Sequence, residues 1–344
     1  MIKVLIVDDS AVARELIEHV LEADPEIVVI GCARNGAEAL AVLEHKRPDV
    51  ITMDVHMPGI DGFETTYRIM TEHPVPVIIV TASLDPQTDS ANFRALEAGA
   101  LAILPKPPGV GHRDHARAAA ELVQTVKLMS EVRVVRRTFR PAKSLLQQPP
   151  VKAALPAPIK VVAIGASTGG PIVIQSILAS LPVGFPVPLL VVQHMADEFI
   201  RGFSDWLAGS CNIEVKVAVQ GEFLRPGTAY VAPGGLDMGI DGQGRVTLTG
   251  GKAGQHLCPS VSHLFYNIAE RYGGHAVGIL LSGMGSDGAP GLKEMKDRGA
   301  LTIAQDEDSC VIFGMPAEAV KLKAAQHVLP PDGIIAMLLA VVKR

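Results

Sequence analysis

Val161-Val162-Ala163-Ile164-Gly165-Ala166-Ser167-Thr168-Gly169-Gly170-Pro171 is the stretch on which the reading of this chain turns. Its first four residues are apolar and mostly β-branched, the mark of a short strand buried on both faces of a parallel sheet. The run then breaks into a turn of small residues, and from Ile172 onward it reads as a helix with Pro171 in its first turn. Small neighbours let the backbone turn tightly and leave the Ser167 hydroxyl at the carboxyl edge of the sheet. The helix start behind it favours developing negative charge. A serine alone is a poor nucleophile, so the reading requires a base and a carboxylate to orient that base.

Two later strand ends supply both. Leu189-Leu190-Val191-Val192 ends at Gln193-His194-Met195, and Ala276 to Leu281 runs into Ser282-Gly283-Met284-Gly285-Ser286-Asp287-Gly288. Open parallel α/β sheets gather functional groups outside the carboxyl ends of their strands. Taken singly, each residue has an ordinary explanation: a turn serine, a histidine after a strand, an aspartate before glycine. Together, Ser167, His194 and Asp287 share one edge. There His194 would take the proton from Ser167, and Asp287 would fix the imidazole tautomer. The order Ser, His, Asp differs from that of the α/β-hydrolases, so the set is recognised by its roles.

The 344 residues suit about two domains. Hydrophobic residues make up 48% and charged residues 19%, a composition with ample core. A net charge of −5 argues against nucleic acid as the main partner. The apolar run Ile334 to Val342 is far short of the roughly 18 to 20 residues that span a bilayer, so no membrane insertion is expected. Met1 to Ile6 leads straight into acidic residues and reads as a first strand, not a signal peptide. Cys32, Cys211, Cys258 and Cys310 are scattered without a CxxC pair, which fits reduced thiols and a cytoplasmic location.

A boundary lies in the middle of the chain. From Lys127 to Lys160, eight basic residues face Glu131 as the single acid, and five prolines from Pro141 to Pro158 share the stretch. Residues 126–158 therefore read as a basic, semi-rigid linker between domains at 1–125 and 159–344. The N-terminal domain alternates strands and amphipathic helices five times, with strands at Ile2–Val7, Ile27–Ala33, Val50–Met53, Val77–Val80 and Leu101–Leu104. Its strand ends carry Asp8-Asp9-Ser10, Asp54, Thr81 and Lys106. Carboxylates crowded at one edge repel each other unless a hard cation such as Mg²⁺ joins them, and that cation can also hold a phosphoryl group. Thr81 and Lys106 are placed to bind the phosphoryl oxygens. Asp9 or Ser10 is also a candidate cap for the first helix.

On these residues the N-terminal part resembles a response-regulator receiver domain. Asp8-Asp9 would be its acidic pair, Asp54 in Met53-Asp54-Val55-His56-Met57-Pro58 its phosphoacceptor, Thr81 its switch residue, and Lys106-Pro107 its phosphoryl-binding lysine. The rest resembles the catalytic domain of the chemotaxis protein-glutamate methylesterase (CheB) family. The matching stretches are Gly165 to Gly170, Gln193-His194-Met195, Tyr230 to Gly234, Gly283 to Gly288, Ala304-Gln305-Asp306 and Phe313 to Pro316. The resemblance implies a flavodoxin-like (βα)5 receiver followed by a doubly wound, mostly parallel, Rossmann-like α/β esterase domain. It implies the triad Ser167, His194 and Asp287, with the backbone N–H of Met284 at the oxyanion. It further implies Mg²⁺ held by Asp8, Asp9, Asp54 and the backbone carbonyl of His56, and no cofactor for ester hydrolysis. The implied substrates are γ-glutamyl methyl esters on the cytoplasmic helices of chemoreceptors, often with deamidation of receptor glutamines. A chemotaxis-type histidine kinase would be the phosphodonor.

Three departures from the family pattern stand out. Ile103 occupies the position of an aromatic residue three before Lys106, and His56 replaces an acidic residue. Cys258-Pro259-Ser260-Val261-Ser262 stands where an Arg-Pro-Ser-Val-Asp type run is found, a change that either alters substrate recognition or is neutral surface drift, with drift favoured. The triad needs nothing from the N-terminal domain, so that domain is expected to restrain hydrolysis until Asp54 is phosphorylated. Two rival readings exist. The turn at Gly165–Gly170 has the wrong glycine spacing for a dinucleotide fingerprint. A receiver-linked, non-enzymatic binding or regulatory module is the other alternative, although no basic helix-turn-helix follows the linker.

Overall fold

Five short apolar runs, each too short for a helix and each followed by an amphipathic segment, build the N-terminal unit. In the computed structural model, which describes residues 1–82, 93–132, 134, 158–251 and 258–342, they are β1 (Ile2–Val7), β2 (Ile27–Ala33), β3 (Val50–Met53), β4 (Val77–Thr81) and β5 (Ala102–Pro105). All pair in parallel in the order β2-β1-β3-β4-β5. β4 gains Thr81 and β5 sits one residue later than the sequence suggests, because Thr81 pairs with Pro105. Ser10, not Asp9, caps the helix Ala11–Glu22, its side chain accepting the Ala13 N–H. Asn35 and Asp61 cap the helices Gly36–His45 and Gly62–Glu72 in the same way. A Cβ on Gly62 would lie 2.1 Å from the Asp54 carbonyl oxygen, so only glycine lets this helix start directly behind the Asp54 loop.

The chain forms two compact units, Met1–Arg140 and Pro141–Arg344. Residues 135–157, most of the expected linker, lie outside the described residues. Its first part is helical: the helix His115–Glu131 runs past the expected boundary at 125, with Leu122, Val126 and Met129 buried along one stripe. The rise in basic residues from Lys127 concealed that stripe.

The C-terminal unit holds β6 (Val161–Ala166), β7 (Leu189–Gln193), β8 (Glu214–Val217), β9 (Thr228–Val231), β10 (Leu236–Ile240), β11 (Val246–Gly250), β12 (Ala276–Leu280), β13 (Leu301–Gln305) and β14 (His327–Leu329). Seven of them form a parallel sheet in the order β14-β13-β12-β6-β7-β9-β8, while β10 and β11 pair antiparallel on their own. β6 is central. The chain leaves it for β7 on one side and later returns to β12 on the other, and this reversal opens a crevice at the strands' carboxyl ends.

The pleat sorts the buried side chains of β6. Val161 and Ala163 join a core with Leu264, Phe265, Ile268, Leu292 and Met295. Val162 and Ile164 are equally buried but project to the opposite face. Burial on both faces explains the unbroken apolar run. A Cβ on Gly165 would come within 2.0 Å of Val261 Cγ1, so the helix Val261–Tyr272 lies directly on this strand. The apolar run near the end becomes the helix Pro331–Val342, which packs against Gly170–Ala179. Among the described residues no helix is long and apolar enough to cross a membrane.

Candidate active site

Ser167 follows the last residue of β6 and is half-buried. Its N–H donates to the Ser282 carbonyl at 2.9 Å, and its carbonyl accepts the Gly170 N–H at 2.9 Å. Gly169 takes φ +80°, a left-handed conformation that favours glycine, and so aims the chain into the helix Gly170–Ala179. The first turn of that helix carries Pro171, as the sequence suggests. His194 is laid beside Ser167 by the sheet itself, because its N–H continues the ladder to the Ala166 carbonyl at 3.0 Å.

His194 Nε2 lies 3.0 Å from Asp287 Oδ2. An ionised carboxylate can only accept, so this contact places the ring proton on Nε2 and leaves Nδ1 with its lone pair. Among the described residues, Ser167 Oγ makes no hydrogen bond. The structure thus joins His194 to Asp287 and sets Ser167 on the same edge, with no direct side-chain bond to either among the described residues. Hydrogen bonds to a nucleophile commonly tighten only when substrate binds.

Asp287 is held by groups that its sequence context does not reveal. Oδ1 accepts from the Ser262 N–H at 3.0 Å, the Gly288 N–H at 2.9 Å and the Ser260 hydroxyl at 3.1 Å, while Oδ2 accepts from the Val261 N–H at 2.7 Å. Ser260 is the N-cap of the helix Val261–Tyr272, so the carboxylate rests on that helix's unsatisfied amides. Burial raises the cost of its charge. Hydrogen bonds from His194 and from Ser262, together with the attraction of His194, outweigh that cost and hold it well below the usual carboxylate range. A serine before a valine-led amphipathic run is a helix-cap signal, and it was the available clue to Ser260.

Met284 lies in the turn after β12. A Cβ on Gly283 would fall 2.6 Å from Ser167 Cβ, so that turn passes directly against the serine. The Gly283 carbonyl accepts from the Gly314 N–H at 3.1 Å and the Met315 N–H at 2.8 Å. A trans peptide is planar, so fixing that carbonyl also fixes the opposed direction of the Met284 N–H.

The N-terminal unit has its own polar edge. Ligand atoms of Asp8, Asp9 and Asp54 lie within 4.8 Å of one another. Lys106 Nζ sits 2.7 Å from Asp8 Oδ2 and 2.9 Å from Asp54 Oδ2. Burial pushes the Asp8 carboxyl above its ordinary value and the Asp54 charge adds to this, while Lys106 opposes it. Asp8 Oδ2 is buried and, although ion-paired, has no aligned hydrogen-bond donor. Three carboxylates with one such oxygen fit a hard divalent cation. Thr81 is buried at the end of β4 and its carbonyl accepts the Lys106 N–H at 3.0 Å. His56 follows Asp54 by two residues with its side chain exposed.

Residues 162–338 match the family described as "CheB methylesterase", and residues 4–113 match "Response regulator receiver domain". The chain belongs to the CheB methylesterase family. It is 52% identical over 343 residues to a protein of Syntrophus aciditrophicus named protein-glutamate methylesterase/protein-glutamine glutaminase 1, covering 98% of this chain and 97% of that one. A Geobacter metallireducens protein, protein-glutamate methylesterase/protein-glutamine glutaminase 4, is 49% identical over 340 residues and covers 98% of both chains. The crystal structure of the Thermotoga maritima CheB methylesterase catalytic domain superposes with a TM-score of 0.51 at 35% identity, covering 53% of this chain and 98% of that chain.

The three departures from the CheB pattern can now be placed. Ile103 lies on β5 opposite Ile79 of β4 and is partly buried. Ser262 lies beside Asp287: besides its N–H to that carboxylate, its hydroxyl accepts the Gly288 N–H at 2.7 Å. Cys258 Sγ lies 3.6 Å from Oδ1 of the buried Asp237, which also accepts the Ser260 N–H at 2.8 Å.

Proposed function

We propose that this chain hydrolyses γ-glutamyl methyl esters on chemoreceptor helices, and deamidates receptor glutamines, through Ser167, His194 and Asp287. The observation that carries this reading is the 3.0 Å contact of His194 Nε2 with Asp287 Oδ2, at a sheet crevice where Ser167 ends the neighbouring strand. His194 Nδ1 takes the hydroxyl proton as Ser167 Oγ attacks the ester carbonyl. Asp287 stabilises the resulting imidazolium. The Met284 N–H receives the oxyanion, worth on the order of 3 kcal/mol for such a donor. The imidazolium returns the proton to the departing methanol, or to ammonia when the substrate is an amide. Water, deprotonated by His194, then releases the acyl group as a glutamate side chain. The name shared by the Syntrophus and Geobacter relatives, methylesterase and glutaminase together, supports both reactions.

The rival phosphate cradle finds little support. Its turn needs outward-facing amides, whereas the Ser167 and Gly170 N–H groups are already bonded to Ser282 and Ser167 carbonyls.

Regulation is part of the proposal. Asp54 accepts a phosphoryl group from a histidine kinase, Lys106 and Thr81 bind its oxygens, and Asp8, Asp9, Asp54 and the His56 carbonyl hold Mg²⁺. That cation supplies charge neutralisation for phosphoryl transfer. The test compares initial rates on methylated receptor for residues 159–344 alone, for the full chain, and for the full chain with a phosphodonor. The fragment and the phosphorylated chain should each be at least about tenfold faster than the untreated chain, a difference of about 1.4 kcal/mol between restrained and active states. A fragment no faster than the untreated chain removes restraint as the mode of control. No Ser167-dependent methanol release from any of the three removes the hydrolase itself.

A further inference from the structure

Gln193 closes β7 and is 2% exposed. Its Nε2 donates to the Ser167 carbonyl at 2.9 Å and to the His194 carbonyl at 3.0 Å. One amide group therefore bridges the backbones of the nucleophile and the base. Its Oε1 is buried and has no hydrogen-bond partner among the described residues. The space around that oxygen is tight, since a Cβ on Gly170 would lie 2.5 Å from it.

A buried polar atom without a partner is destabilising, and an apolar side chain of similar volume would avoid the cost. The donating half of the amide must answer a positional need. Among the described residues no hydrogen bond to Ser167 Oγ sets its distance from His194. That distance depends on how the two backbones are tied. The sheet provides one tie, from the His194 N–H to the Ala166 carbonyl. The Gln193 amide provides the other, and it acts on the carbonyls of the two reacting residues themselves. Without it, the Ser167 carbonyl keeps only its turn bond from the Gly170 N–H, and that side chain no longer bridges it to the His194 carbonyl.

We propose that Gln193 is a positioning residue that sets the spacing of nucleophile and base for the hydrolysis assigned above, on which this inference rests. The seam needs a side chain that reaches two carbonyls with two N–H bonds, and among uncharged side chains only an amide offers two donors on one atom. Its contribution falls on formation of the reactive Ser167–His194 geometry, not on substrate binding.

The experiment uses the full-length protein with Gln193→Met, which keeps volume and removes both donors, and Gln193→Glu, which keeps shape and replaces the NH2 with an oxygen. Three quantities are read for each: kcat and KM for methyl-ester hydrolysis, the rate constant for Ser167 labelling by an organophosphonate, and the endpoint of that labelling. The endpoint counts competent sites, so reduced folding lowers it without changing the rate constant per site. Both variants should lose about 30-fold or more in kcat per labelled site with KM within about twofold, and the labelling rate constant should fall in parallel. Per-site rate constants equal to those of the unsubstituted chain, with only a lower endpoint or melting temperature, overturn the proposal and leave Gln193 a packing residue. Should one variant yield no folded protein, the other carries the decision. If the unsubstituted chain itself shows no Ser167-dependent hydrolysis, the hydrolase reading fails. If it is active and the variants match it, only the positioning role fails.

Discussion

Replacing Ser167 with alanine removes ester hydrolysis by at least about 10⁴-fold, because the covalent route is lost and only the oxyanion donor and substrate binding remain. The fold should be indifferent to the change. Ser167 Oγ has no hydrogen bond among the described residues, and the backbone bonds of the turn, from Ser167 N–H to Ser282 and from Gly170 N–H to Ser167, do not involve its side chain. His194→Gln and Asp287→Asn should each cost orders of magnitude, and combining either with Ser167→Ala should cost little more, since the three act as one unit. Asp287→Asn carries an additional penalty. It removes a charge that the amides of Val261 and Ser262 and the His194 ring are arranged to receive. Methanol release by purified Ser167→Ala protein at a rate near that of the parent would dismiss the triad.

Asp54→Asn should abolish phosphoryl labelling of the chain. The buried Asp54 carboxylate is the group that Lys106 Nζ reaches at 2.9 Å, and Asn lacks the nucleophilic oxygen anion. Incubation with a small phosphodonor and Mg²⁺ should label the parent at Asp54, and chelating the metal should prevent it, because Asp8 and Asp9 then repel the incoming phosphate. Mass spectrometry of the labelled chain decides the matter. Label that persists in the Asn variant, or that forms equally well with the metal chelated, removes the acidic-pocket assignment.

How far the sequence carries depends on the kind of feature. Strands were legible because burial on both faces leaves continuous apolar runs such as Val161 to Ile164, and helices because amphipathic segments follow start signals such as Ser10 and Pro171. The positions of Ser167, His194 and Asp287 followed from one topological rule about strand ends. The contacts that hold them did not. Gln193 is one letter in a strand end, and nothing local says that its amide reaches back to Ser167. Ser260 and Ser262 support Asp287 across 27 and 25 residues of chain, through the start of a helix whose docking site is a glycine on β6. The helix through Lys127 was missed for another reason. Its buried stripe, Val126 and Met129, brackets Lys127, the first of the basic residues that marked the linker.

The central place of β6 has a consequence for how the site comes into being. On the assignment proposed above, Ser167 and His194 follow strands adjacent in sequence, but Asp287 lies 93 residues beyond His194 and follows β12, which must dock on the free edge of β6. Until that late, non-local pairing is made, a folding chain has Ser167 and His194 side by side with no carboxylate to set the histidine's proton. If the proposed triad holds, partly folded chains should lack catalytic power until β12 has paired with β6. On refolding, esterase activity should return with the burial of Ala276–Leu280 and not with the earlier pairing of β6 and β7, a sequence that hydrogen-exchange labelling of the two strands can resolve against a stopped-time activity assay.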